Sequence, residues 1–198
     1  MTNMSAFHHF TKALGMLACI SSMYGCVSID NRPYPANWEK PSALADGVCP
    51  DINGAFQIAS ADTKGPPGLM LLFWNSQDMK NWPDNWLDLA GKHVVIKQSK
   101  DTLQASFLAT SRIVAEKILI KNAKNGYSCT KGVVVIKPES FPSQNLLGYV
   151  DEEYELFKSS DGLMIVRYHE SGGGLGLGII PMAGSDTRWD RANPYRQP

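Results

Sequence analysis

Beyond residue 25 the chain carries two histidines, His93 and His169, and one dense acidic run, Asp151-Glu152-Glu153-Tyr154-Glu155. These are the side chains whose types could hold a metal or move a proton. A metal site needs several ligands converging in space. Glu170 adjoins His169, but neighbours on a strand point to opposite faces, so both histidines read as strand surface or rim. Paired carboxylates do acid–base work when burial drives their pKa values apart. A contiguous run at a loop entering a strand reads instead as a solvated face. Calcium loops also space their acids around a turn glycine, which this run lacks. Ser171-Gly172-Gly173-Gly174-Leu175-Gly176-Leu177-Gly178 invites a phosphate-loop reading. It has neither the Lys-Ser/Thr ending nor the Gly-x-Gly-x-x-Gly spacing, and no predicted helix follows to hold phosphate. It reads as a flexible hairpin loop of small residues, where backbones approach closely. Gly126-Tyr127-Ser128-Cys129-Thr130 lacks the second glycine of a nucleophile elbow. No His-Glu-x-x-His is present, and Cys49 and Cys129 belong to no Cys-x-x-Cys. The expectation is therefore a non-enzyme with no catalytic residue, no metal and no cofactor. The alternative is a hydrolase whose site gathers scattered carboxylates around His169.

The elements that would position these groups are short strands divided by turn residues. Leu69–Trp74, His93–Gln98, Arg112–Ile120, Val133–Ile136, Tyr154–Lys158 and Leu163–His169 are apolar or β-branched runs. In Thr102–Phe107 the odd positions are apolar and the even ones polar, the pattern of a half-buried strand. Ser159-Ser160-Asp161-Gly162 joins the best hairpin. One short helix is expected around Asp84–Leu89, with Trp82, Trp86 and Leu89 on its apolar face. Such spacing predicts an all-β, mostly antiparallel fold, a curved sheet or small barrel with one short helix. The alternative is a two-sheet β-sandwich. Near the C-terminus Trp189 and Tyr195 stand among arginines. They read either as partner-binding aromatics, of the kind that dominate interfaces, or as closure of the core.

Ahead of all this lies an apolar run from Ala13 to Gly25, followed by Cys26 and then a stretch rich in Asn, Asp, Pro and Arg. The run is too short to span a bilayer comfortably, which takes about 20 residues. Met23-Tyr24-Gly25-Cys26 resembles the cleavage motif of Gram-negative bacterial lipoproteins, with residues 1–25 as signal peptide and Cys26 as the lipid-bearing first residue. Leu17-Ala18-Cys19 fits the motif's last positions more closely, but leaves too short an apolar core before it. The resemblance implies a covalent lipid of three acyl chains. Val27, in place of an Asp, implies the outer membrane, with the globular part facing the periplasm. Residues 26–48 would then be a Pro-rich tether, reaching on the order of 60 Å if extended, and residues 49–198 a single β-rich domain. Cys49-Pro50-Asp51-Ile52-Asn53-Gly54-Ala55-Phe56 resembles the domain start of small, mostly uncharacterised envelope lipoproteins, and its Gly-x-aromatic resembles the first strand of lipocalin-like barrels. With Cys19 removed and Cys26 lipidated, Cys49 and Cys129 remain as an even pair in an oxidising compartment. They are expected to form a disulfide, the alternative being two buried free thiols.

Charge bounds the partners. The chain holds 19 basic and 19 acidic side chains. Residues 1–25 contain one base, Lys12, and no acid, which leaves 18 against 19 and a net of about −1. That balance gives no electrostatic footprint for nucleic acid. The expected partners are the membrane itself, through the lipid, and an envelope protein, a cell-wall component or a small apolar ligand.

Overall fold

The computed structural model describes residues 26–60, 68–74, 82, 91–142, 147–176 and 180–196. Eleven strands belong to one sheet: β1 (Cys26–Asn31), β2 (Gly54–Ser60), β3 (His93–Gln98), β4 (Thr102–Ala109), β5 (Arg112–Ile120), β6 (Tyr127–Thr130), β7 (Val133–Ile136), β8 (Phe141–Pro142), β9 (Leu147–Lys158), β10 (Met164–Gly176) and β11 (Ile180–Pro194). Among the described residues one helix, α1 (Gly68–Phe73), accompanies them. The order across the sheet is β5-β4-β3-β2-β11-β10-β9-β7-β6. Every pairing is antiparallel except that of β1, which runs parallel to the start of β11. The fold is all-β, a strongly curved open sheet, and the sandwich alternative is not what forms.

Curvature follows from the core. Phe107 on β4, Leu119 on edge strand β5, Cys129 on edge strand β6 and Leu156 on β9 all lie in one buried cluster. One face of the whole sheet therefore wraps a single interior. The two edges touch at a single bridge, Lys121 to Tyr127. α1 fills the hollow. Leu69–Trp74 is expected as a strand and is instead helical through Phe73, with Trp74 N–H bonding the Met70 carbonyl at 3.0 Å. A short, wholly apolar run does not distinguish strand from buried helix. Here Leu69, Met70, Leu72, Phe73 and Trp74 are all buried. A helix makes its bonds along its own chain, so this short one can sit inside the sheet without a pairing edge. The helix expected at Asp84–Leu89 lies outside the described residues, although Trp82 packs against the core and stacks on Phe107.

β9, β10 and β11 are the longest strands, of 12, 13 and 15 residues. Their registers run unbroken between β9 and β10 and between β10 and β11. One end of these strands belongs to the wrapped body. The other end, flanked by β1 and β8, extends as an arm. The arm includes Ser171–Gly176, expected as a loop. Strand pairing holds there because the glycines admit close backbone contact: a Cβ on Gly148 would lie 1.9 Å from the Gly173 carbonyl oxygen.

Residues 26–48 do not run free. β1 leaves the arm's end beside β11, and the chain continues along the outer face of the sheet. Tyr34 and Trp38 pack with Trp189 over Val133, Val135, Phe157 and Ile165. Glu39 then accepts hydrogen bonds from the Ser160 N–H and hydroxyl, both 2.8 Å, at the β9–β10 turn. This strap explains why β7 is buried at every position. Val134 and Ile136 face the interior, while Val133 and Val135 lie under the strap. A strand covered on both faces reads as a continuous apolar run. The strap ends at the β6–β7 turn. Asp46 accepts the Thr130 hydroxyl at 2.7 Å, Gly47 N–H bonds the Cys129 carbonyl at 2.9 Å, and Cys49 forms a disulfide with Cys129 across 80 residues.

Candidate functional site

The outer face holds a cleft of about 420 Å³ lined by Asn31, Arg32, Pro33, Glu155, Arg167, His169, Thr187 and Trp189. Its floor is built by strand alternation. Glu155, Arg167, His169, Thr187 and Trp189 occupy the positions that face away from the core, and register sets Arg167 beside both Glu155 and Trp189. The strap supplies the wall. Arg167 bonds Glu155 at 2.6 Å, lies 3.6 Å from Glu153, and places its guanidinium 5.9 Å from the Trp189 ring centre. Trp189 donates its indole N–H to the Arg32 carbonyl at 3.0 Å. The Asn31 side-chain oxygen accepts from Thr187 at 2.9 Å and from Ser185 at 3.1 Å. His169 Nδ1 meets Thr187 Oγ at 2.8 Å. With the Thr187 hydrogen given to Asn31, Nδ1–H is the donor to Thr187 and Nε2 keeps the lone pair. The ring is thus oriented by a hydroxyl, and the cleft's carboxylate, Glu155, is taken by Arg167.

A second polar cluster lies on the inner face, where the arm joins the body. Tyr154 donates to Glu152 at 3.1 Å, Tyr168 to Glu152 at 3.3 Å, and Tyr168 also contacts Glu170. On the neighbouring strand Arg188 pairs with Asp186. Burial holds the Glu152 carboxyl above its ordinary range, and the Glu170 charge adds to this. Burial also raises both phenols, aided by the nearby carboxylates. The expected solvated acidic face is therefore a strand whose acids alternate. Glu152 goes inward with Tyr154, while Glu153 and Glu155 go outward to Lys137 and Arg167.

The structure scatters the other sequence-marked residues. His93 stacks on Tyr195 with ring centres 3.9 Å apart, and its Nδ1 meets the Gly91 carbonyl at 2.7 Å. Tyr195 N–H bonds the Ala55 carbonyl at 2.7 Å. Trp189 packs edge-on to Tyr34 at 4.7 Å. Both C-terminal aromatics are thus engaged within the chain. Cys26 pairs in register with Met182 at the arm's end. Among the described residues, no three or more His, Cys, Asp and Glu side chains gather where they could hold a metal. Sequence reasoning missed Asn31, Arg32 and Pro33, because nothing in a Pro-rich segment shows where it docks. It also missed the Glu152–Tyr154–Tyr168–Glu170 cluster, which the shared parity of Glu152, Tyr154 and Leu156 could have indicated. Comparison with protein-family models, curated proteins and solved structures finds no match for this chain.

Proposed function

We propose that this chain is a lipid-anchored protein of the outer membrane, with Cys26 bearing the lipid and the folded part facing the periplasm. There it works as a non-catalytic scaffold or assembly partner. The anchor rests on the leader-like run before Cys26. The choice of scaffold over carrier rests on one observation: among the described residues, the inward side chains are packed against one another. α1 and the inward side chains of the sheet pack into one continuous cluster, with Phe56, Leu69, Met70, Phe107, Tyr154 and Leu156 all fully buried. A small apolar ligand needs a cavity in such an interior, so an envelope protein or a cell-wall component fits better. The test is crosslinking of the native lipoprotein in its own envelope, followed by identification of the adducts. A reproducible protein or glycan partner is expected. Recovery of the chain with no adduct other than lipid would remove the scaffold role.

The cleft favours one second reading, a periplasmic hydrolase, because it brings His169 and Glu155 together from different strands. The Nε2 lone pair would be the base. Full activity of a His169→Ala variant on any substrate that the native chain turns over would exclude that role.

A further inference from the structure

The arm's outer face is apolar and exposed, beyond the charged cleft that Glu155 and Arg167 form nearer the body. Leu147, Leu175 and Pro181 form one cross-strand row, and Pro142, Tyr149, Gly173 and Ala183 the next. Unbroken register puts both rows on the face that carries His169 and Arg167 nearer the body. Leu147 is 73% exposed, Tyr149 64% and Leu175 41%. On the same end Ile29 is 67% exposed and Met182 37%. Residues 26–31, 147–152, 170–176 and 180–186 contain no Lys or Arg. Contiguous exposed apolar surface of this kind marks an interaction site. Its place in the fold names the occupant. β1 runs parallel to β11, so Cys26 lies near the arm's end, in register with Met182 and one position from each of the two rows. A lipid on residue 26 would enter the bilayer at that point and bring the apolar rows against it.

We propose that the arm's end is a membrane-docking surface, in which Leu147, Tyr149 and Leu175 enter the headgroup–acyl boundary beside the anchor. This rests on the lipid-anchor reading above. The arm's backbone is paired within the sheet, so side chains can dip into the boundary without unsatisfied amides. A tyrosine suits that depth, its ring apolar and its hydroxyl wet. With no Lys or Arg in these segments and with Asp30, Asp151, Glu152, Glu170 and Asp186 among them, docking draws nothing from anionic lipid, and salt should not weaken it.

The experiment uses the full chain, expressed with its own leader in a Gram-negative host. A photoreactive benzoyl-phenylalanine replaces Tyr149, Leu175 or, as control, the exposed Ile113 of edge strand β5. Each purified product is reconstituted into phosphatidylethanolamine–phosphatidylglycerol vesicles and irradiated, and the peptide bearing Cys26 is weighed for acyl chains. Lipid adducts at positions 149 and 175, several-fold above position 113 and not reduced by about 0.5 M salt, are expected. An acylated Cys26 with adducts no higher than at position 113 would overturn the docking surface and leave the anchor standing. An unacylated chain that begins at Met1 would overturn the anchor and the docking with it. Protein adducts in place of lipid adducts, on irradiation in intact cells, would reassign the surface to a partner and overturn bilayer docking.

Discussion

Glu152 shows how one residue couples chemistry to stability. Its carboxyl sits among Tyr154 on its own strand, Tyr168 and Glu170 on β10, and the Asp186–Arg188 pair on β11. Burial raises its pKa first. The Tyr154 and Tyr168 hydrogen bonds oppose the rise, and Glu170 adds to it. A folded-state value above the unfolded one means that the native state binds this proton more tightly. The ionised form therefore costs stability at neutral pH, and the cost is relieved as pH falls through the raised value toward the unfolded one. Glu152→Gln removes the charge and keeps an oxygen for the phenols. It should stabilise the chain at pH 7, and the gain should shrink as the pH falls and the native carboxyl takes up its proton. Urea midpoints of both proteins at several pH values check this. Carboxylates with lowered pKa, such as Asp51 held by the Asn53 backbone and side chain, give the opposite slope. It is common to both proteins and cancels in the difference. A difference that does not change with pH would refute the buried-acid account.

Among the elements, the strap makes the strongest demand on the chain, and its contacts can be broken one at a time. Gly132, in the β6–β7 turn, has a φ of +81°, and a Cβ there would lie 1.8 Å from the Ser42 carbonyl oxygen. Gly132→Ala should cost about 1–3 kcal/mol through backbone strain and displacement of the strap. Thermal unfolding measures it, and an unchanged midpoint would show that Ser42 moves aside freely. Replacing both Cys49 and Cys129 by Ser should cost up to about 4–5 kcal/mol, the chain-entropy value for a loop of this length. Urea titration of the pair variant gives the figure. These elements also mark how far the sequence could be read. Thr102–Phe107 and Arg112–Ile120 were legible because their alternation or β-branching is a local property. The disulfide, Cys49 to Cys129, is the pair expected once the lipoprotein resemblance assigns Cys19 and Cys26 elsewhere. α1 was not, because an apolar run buried on every side carries no period. The strap was not, because the apolar outer positions of β7, β9 and β10 state that something covers them without naming what. Nor was the cleft, since its wall arrives with the strap.

Over the whole molecule, the strap turns an expected leash into a fixed strut. A free segment of twenty-odd residues would let the body range on the order of 60 Å from its anchor. Instead the chain runs from Cys26 at the arm's end to Glu39 at the β9–β10 turn, bonded at both places. The length between those poles is set by the strands. Leu175 and Met164 are separated on β10 by about 36 Å at about 3.3 Å per residue. With residue 26 anchored, the β9–β10 turn should therefore stand at one distance from the bilayer, near that figure for an upright arm and shorter for a tilted one. A dye at Ser160, whose backbone bond to Glu39 survives the change, with acceptor lipids in the vesicle, reports the distance by energy transfer. The native chain should give a single narrow distribution. Replacing Tyr34 and Trp38 by Ala removes the rings that pack against Trp189 and each other, and with Trp38 the stacking of Arg191 at 4.5 Å. That variant should keep the disulfide and the core but broaden the distribution, because β1, no longer continued by a packed strap, is left to fray from β11 and residues 26–45 come away together. A native distribution already as broad as the variant's would mean that the strap does not hold in the membrane-bound protein, and that the body is tethered rather than propped.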